Sequence, residues 1–100
     1  MPMTVVVTRD VADRFRGFLA SVMLEIAPGV YTSPRLSAGA RDRVWAVVAA
    51  WYEALGGGSI VMTWREAAAA GGQAVRTLGL PPRELCEVDG HLLVRRELLA

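Results

Sequence analysis

Several residue types that would point to a particular chemistry are scarce in this chain. It contains no lysine, so all 11 basic side chains are arginine, and 10 acidic side chains reduce the formal charge to +1. There is one cysteine, Cys86, and one histidine, His91. A single cysteine excludes an internal disulfide. Without a second histidine or a nearby set of carboxylates, His91 gives no spacing typical of a zinc site or of a histidine-based catalytic triad.

The chain also lacks a long apolar run. The longest one, residues 44–52, is about half the length that a membrane span needs. The first ten residues lack the basic and apolar stretches of a signal peptide. We therefore expect a cytoplasmic domain without membrane contact. Because 53% of only 100 residues are hydrophobic, a small monomer would expose apolar surface, and this favours a homodimer.

Hydrophobic periodicity and turn residues predict an alternating series of strands and helices. A helix with Phe15 and Leu19 on its apolar side follows the first strand, and a second helix is capped by Ser37 and stopped by glycines 56–58. On this second helix, Arg41 is expected on the solvent-facing side. The predicted strands are residues 3–8, 24–27, 30–33, 59–64, 73–79, 85–88 and 91–94, the last two joined at Asp89–Gly90.

This βαββαβ order with extra C-terminal strands is typical of an α+β, ferredoxin-like sandwich, with two helices on one face of an antiparallel sheet. We assign residues 1–80 to the core and residues 81–100 to C-terminal strands and a tail, all within a single domain. The other face of the sheet needs a cover, and a second copy of the chain would supply it.

One acidic residue stands at the carboxyl end of the first predicted strand. Asp10 has two interpretations from its position alone. It is either the N-cap of the first helix or, in a two-fold dimer, one of two facing carboxylates that share a divalent cation.

Arginines occur near both ends of the predicted core. Arg14 and Arg16 lie in the first turn of helix one, on opposite shoulders of its apolar stripe, while Arg76 and Arg83 flank a late strand and its proline-rich exit. Together they would form a basic rim that binds nucleic-acid backbone without reading sequence. The alternative is that these arginines are solvated and pair with acids such as Asp13, Glu84 and Glu87.

Several segments, taken in order, resemble the CRISPR adaptation protein family Cas two, most closely its subtype I-E branch. The matching residues are 3–8, 14–17, 24–31, Trp45, 60–64, 77–80 and 88–94. The resemblance covers almost the whole chain.

The resemblance implies a homodimeric scaffold that bridges dimers of the integrase Cas one and carries a short duplex of foreign DNA. It also implies that Arg14, Arg16 and Arg83 contact the DNA backbone, with Arg76 as a neighbour of that rim. The segment 85–98 resembles the part that docks onto the integrase.

The chain departs from this family at one position. Many members have an acid at the end of the first strand, proposed as a Mg²⁺ ligand of an endonuclease that cuts RNA or double-stranded DNA. Here Arg9 occupies the matching position and Asp10 follows it. Because a shift of one residue along a strand reverses the side chain, Asp10 serves as ligand or catalyst only if the strand has already ended. The endonuclease is therefore the alternative to the scaffold.

Overall fold

The structure, a computed structural model, describes residues 1–79 and 85–94. Seven strands and two helices lie within these ranges, together with a short 3₁₀ turn at Ala70–Gly72. The elements are β1 (Thr4–Arg9), α1 (Asp13–Val22), β2 (Leu24–Ala27), β3 (Val30–Ser33), α2 (Ala38–Leu55), β4 (Ser59–Arg65), β5 (Gln73–Gly79), β6 (Leu85–Val88) and β7 (His91–Val94).

Five of the strands form one antiparallel sheet in the order β2-β3-β1-β4-β5. The strand β1 lies at the centre, and β5 extends the sheet beyond β4. Two helices and this strand order make the chain an α+β protein compatible with the predicted ferredoxin-like fold.

The last two strands form a separate hairpin, as predicted. Its turn residues Asp89 and Gly90 both have positive φ, which suits a tight two-residue turn. The hairpin contacts the loop before β5, where Glu87 accepts a hydrogen bond from the Gly71 N–H at 3.2 Å. Residues 80–84 and 95–100 of the predicted tail lie outside the described residues.

The two faces of the sheet have different surroundings, because side chains alternate along each strand. On the helix side, Val6 lies opposite both Tyr31 and Met62, and all three are fully buried. On the other side, Val7 lies opposite Val30 and Val61 and is 41% exposed. Only one face of the sheet is therefore covered by the described part of the chain.

The hydrophobic core lies between the sheet and the two helices. Phe15 and Leu19 of α1 are fully buried against it, and Phe15 meets the Trp51 ring of α2 edge-on, with centroids 5.9 Å apart. The buried apolar residues are Val6, Phe15, Leu19, Met23, Tyr31, Val44, Val48, Ile60, Met62 and Trp64. No helix of the described ranges is long and apolar enough to cross a membrane.

The helix ends agree with the sequence at α2 and differ from it at α1. The Ser37 side chain accepts a hydrogen bond from the Ala40 N–H at 3.1 Å, and Gly56 ends α2 with φ of 64°, both as predicted. The N-cap of α1 is Ala12, without a side-chain hydrogen bond. The capping interpretation of Asp10 is therefore wrong, because the helix begins two residues too late for it.

The expectation that Arg41 faces solvent is also wrong. Its side chain is only 6% exposed, and its guanidinium lies 4.0 Å from the centroid of the Trp64 ring. The aromatic face offers a cation a favourable surface away from water, which a helical-wheel pattern does not reveal. Arg41 therefore belongs to the packing between α2 and β4.

Replacing Phe15 with alanine should destabilise the fold by about 3–5 kcal/mol, because it leaves a cavity between α1, Trp51 and the sheet. The half-exposed Leu55 at the end of α2 provides the control, since Leu55→Ala should change stability by about 0.5 kcal/mol or less. Urea unfolding followed by circular dichroism measures both values. Equal losses for the two variants would contradict this core.

Candidate nucleic-acid interface

A cleft of about 440 Å³ lies at the carboxyl end of β1, between this strand, the start of α1 and the β2–β3 turn. The β2–β3 turn is fastened to β1 by two hydrogen bonds. The Thr8 N–H donates to the Gly29 carbonyl at 2.7 Å, and the Thr8 hydroxyl donates to the same oxygen at 3.1 Å. The lining residues are Thr8, Arg9, Asp10, Val11, Arg16, Pro28 and Gly29.

Asp10 lines this cleft because β1 has already ended. Its φ of 55° places the backbone in the left-handed region, so the alternation of side chains along β1 stops at Arg9. The backbone of Arg9 and Asp10 packs closely against Gly58, where a Cβ would collide with the backbone oxygens of both residues. The strand thus ends before Asp10, as a role for this residue as ligand or catalyst would require.

Arg16 lies on the side of α1 that faces β2. Its Nη2 is 3.9 Å from Oε2 of Glu25, and that same oxygen accepts a hydrogen bond from the Gly29 N–H at 3.1 Å. Glu25 lies opposite Tyr31 in the β2–β3 ladder. Sequence reasoning missed Glu25, although an acid within the otherwise apolar strand Leu24–Ala27 and opposite a tyrosine is a detectable signal.

Hydrogen bonding and charge set the ionisation of this group of residues. The Gly29 N–H, then the Tyr31 hydroxyl and the Arg16 guanidinium, lower the pKa of Glu25 below its usual 4.5. Burial, followed by the neighbouring carboxylate, raises the pKa of Tyr31. The buried Tyr31 hydroxyl lies close to both Glu25 and Arg16, although it has no well-aligned hydrogen-bond partner among the described residues. Glu25 is therefore a carboxylate held ionised beside Arg16.

Arg14 lies on the opposite side of α1, as its spacing predicts. Its guanidinium is 4.0 Å from the centroid of the Trp51 ring, which Phe15 and Phe18 also contact edge-on. Stacking holds a guanidinium through its flat face and leaves the N–H groups at its rim for other acceptors. Arg14 and Arg16 thus extend from both shoulders of the first turn of α1.

The structure does not place Arg76 with the pair on α1. Arg76 lies on β5 opposite Met62, its guanidinium is 2.8 Å from Oδ1 of Asp42, and it lies 4.8 Å from the centroid of the Trp64 ring. Arg76 therefore pairs with an acid, which is the alternative that the sequence left open. Its partner is Asp42 rather than Asp13, Glu84 or Glu87. Arg83 lies outside the described residues.

The donor set around Asp10 fits a divalent cation poorly within one chain. The described residues contain no group of three or more histidine, cysteine, aspartate or glutamate side chains placed to hold a metal ion. The cleft at Asp10 is lined by the basic residues Arg9 and Arg16 as well. Mg²⁺ prefers several oxygen ligands, and nearby guanidinium groups oppose its charge.

The uncovered face of the sheet is apolar at its centre. Val5, Val7 and Val61 lie in its centre, as the β1–β4 register shows. Towards one edge, Leu24 lies opposite Thr32 and is 67% exposed. A second hollow of about 480 Å³ opens at the Met3 end of this face.

The fold and the basic cleft define a small α+β domain with exposed arginines at one end of the sheet and an uncovered apolar sheet face at its back. Residues 3–93 match the family described as CRISPR-associated protein (Cas_Cas2CT1978). The match spans most of the 100 residues, and the chain belongs to this Cas two-type family of CRISPR-associated proteins.

Glu25 should make the stability of the protein depend on pH. A carboxyl group with a lowered pKa stabilises the fold above its usual pKa of 4.5 and loses that contribution as the pH falls through its folded value. Glu25→Gln keeps an acceptor for Gly29 but removes the charge. The wild type should therefore melt at a higher temperature than Glu25→Gln at about pH 7, with the difference shrinking at about pH 3. A difference independent of pH would contradict this assignment.

Proposed function

We propose that this protein is a homodimeric, DNA-binding scaffold of CRISPR adaptation, of the subtype I-E kind. In this role it bridges dimers of the Cas one integrase while a short foreign duplex is captured and inserted as a spacer. Membership of the Cas two-type family over residues 3–93 carries the proposal. The open apolar face and the arginines on α1 support it, since they supply a surface for a second copy and a surface for phosphate.

The homodimer rests on the uncovered sheet face. Its central side chains are valine and threonine. The direct partners of Val5 and Val7 on the neighbouring strands are all uncharged, namely Thr32, Val30, Val61 and Thr63. An extended apolar face of this kind is rare on small monomers and typical of interfaces. A second copy placed face to face would cover both sheets at once, because a two-fold axis presents the same patch from each subunit.

Introducing a charge in the centre of this face should separate the subunits. Val7→Glu places a carboxylate where the partner sheet would pack, and burying an unpaired charge is strongly unfavourable. Sedimentation equilibrium should show mass falling from two chains to one chain of 10.8 kDa. Leu55→Glu, at an apolar position on α2 that is at least as exposed as Val7, should remain dimeric. A dimeric Val7→Glu variant would contradict this interface.

Duplex binding rests on the arginine pair of α1. Arg14 and Arg16 are exposed, and neither guanidinium forms a close hydrogen-bonded ion pair with a carboxylate of the described residues. The net charge of the chain is near zero, so binding depends on where the charges are placed rather than on their sum. The resemblance adds Arg83 to this surface and Arg76 as its neighbour, although Asp42 already neutralises Arg76.

Removal of one phosphate contact should reduce the salt dependence of duplex binding. The slope of log K against log salt concentration is negative. For Arg16→Ala, its magnitude should decrease by about 0.9. Arg35→Ala provides a matched loss of charge, because Arg35 follows β3 at the opposite end of the sheet and is exposed. Fluorescence anisotropy with a labelled duplex over a salt series measures both slopes. Equal slopes for the two variants would place the DNA elsewhere.

The integrase partner would dock on the C-terminal hairpin, according to the family resemblance of residues 85–98. In the described part of this segment, Val88, Leu93 and Val94 are all substantially exposed. The hairpin is also anchored to the loop before β5, where a Cβ at Gly71 would collide with Leu92. An anchored hairpin with an apolar surface is a suitable docking site for a protein partner.

The second candidate function is that of a Mg²⁺-dependent endonuclease. The observation that favours it is the position of Asp10 in the wall of the basic cleft. A single carboxylate would need the partner subunit to complete a metal site, and any such site would have to overcome the adjacent Arg9. Mg²⁺ when bound would supply charge neutralisation at a phosphate.

Asp10→Asn should leave duplex binding intact, because the scaffold does not use this carboxylate. It should also leave any cleavage by the purified protein unchanged. The control is Asp13→Asn, which removes an exposed acid from the first turn of α1. Cleavage assays with Mg²⁺ and with EDTA compare the three proteins. Loss of Mg²⁺-dependent cleavage in Asp10→Asn alone would establish the endonuclease instead.

A further inference from the structure

The side chain of Arg16 is long and 48% exposed, so on its own it would sample many orientations. A flexible arginine loses rotamer freedom when it binds phosphate, which weakens the contact. A neighbouring group that already restricts the guanidinium removes part of this cost. Glu25 lies beside Arg16 and carries the opposite charge, and the Tyr31 hydroxyl is also close to this guanidinium.

Glu25 is itself held in place through the backbone of the β2–β3 turn. The Gly29 N–H donates to Glu25 Oε2 at 3.1 Å, while the Gly29 carbonyl accepts two hydrogen bonds from Thr8. Gly29 has φ of 75°, and a Cβ there would lie 2.9 Å from the Thr8 carbonyl oxygen, so only glycine fits. The carboxylate is therefore tied, through the single residue Gly29, to the end of the central strand.

The separation of Glu25 from Arg16 leaves the guanidinium available to another acceptor. At 3.9 Å, Nη2 of Arg16 and Oε2 of Glu25 attract each other by charge but are too far apart for a hydrogen bond. The N–H groups of Arg16 are thus not consumed by the ion pair, and Arg16 remains part of the wall of the cleft.

Building on the proposed function, we propose that Glu25 is a positioning residue that holds the Arg16 guanidinium beside the cleft for a backbone phosphate of the duplex. Glu25 does not itself contact the phosphate. Its negative charge alone would repel DNA, so positioning and simple charge repulsion predict opposite effects when the charge is removed. This opposition makes the role of Glu25 measurable.

The decisive comparison is between two variants with the same change in net charge. Glu25→Gln keeps the acceptor for Gly29, and Glu53→Gln removes one charge from an exposed position on α2. With a labelled duplex at fixed salt, Glu25→Gln should bind about two- to fivefold more weakly than Glu53→Gln, the range expected for loss of an exposed ion pair. Arg16→Ala should then cost less in the Glu25→Gln background than in the wild type.

Binding by Glu25→Gln as tight as that of Glu53→Gln, or tighter, would overturn the positioning role. A separate readout uses the free protein, namely the order of the Arg16 Nε–Hε group measured by NMR relaxation. This group should be ordered in the wild type and in Glu53→Gln but mobile in Glu25→Gln. If the wild type does not bind duplex, the proposed function fails, and equal Arg16 mobility in all three proteins overturns the positioning role independently.

Discussion

The pairing of β1 with both β3 and β4 is the constraint on which the rest of the structure depends. This central position fixes the sheet order, and the carboxyl end of β1 fixes where α1 begins. The hydrogen bonds from Thr8 to Gly29 bring the β2–β3 turn to the same point. As a result, the first turn of α1 and the strand β2 meet at one end of the sheet, and the basic cleft forms there.

The same arrangement places the hydrophobic core, the uncovered sheet face and the basic cleft at three different parts of the molecule. One face of the sheet carries the helices and the core, so the other face stays uncovered, and the cleft at the end of β1 is lined by arginines. The near-zero net charge is compatible with nucleic-acid binding because acids and bases are sorted locally. Asp42 neutralises Arg76 at 2.8 Å, whereas Glu25 stands 3.9 Å from Arg16 and leaves it accessible.

Much of the fold was predictable from the sequence, because strand alternation, the Ser37 cap and the Asp89–Gly90 turn are local signals. The start of α1 was not, since an acid at Asp10 imitates a cap that Ala12 provides without a side-chain bond. The positions of Arg14 and Arg16 on opposite sides of α1 were predictable from helical spacing. The neighbours that orient them were not, because Trp51 and Glu25 approach α1 only through the tertiary fold, as Trp64 does for Arg41.

The central claim is that this protein serves CRISPR adaptation as a DNA-binding scaffold rather than as the enzyme. The most direct test is spacer insertion in vitro, with a purified Cas one integrase, a short duplex and a plasmid that carries a CRISPR array. Insertion should require this protein, should fall with Arg16→Ala and should persist with Asp10→Asn. Insertion that proceeds equally well without this protein would contradict the account.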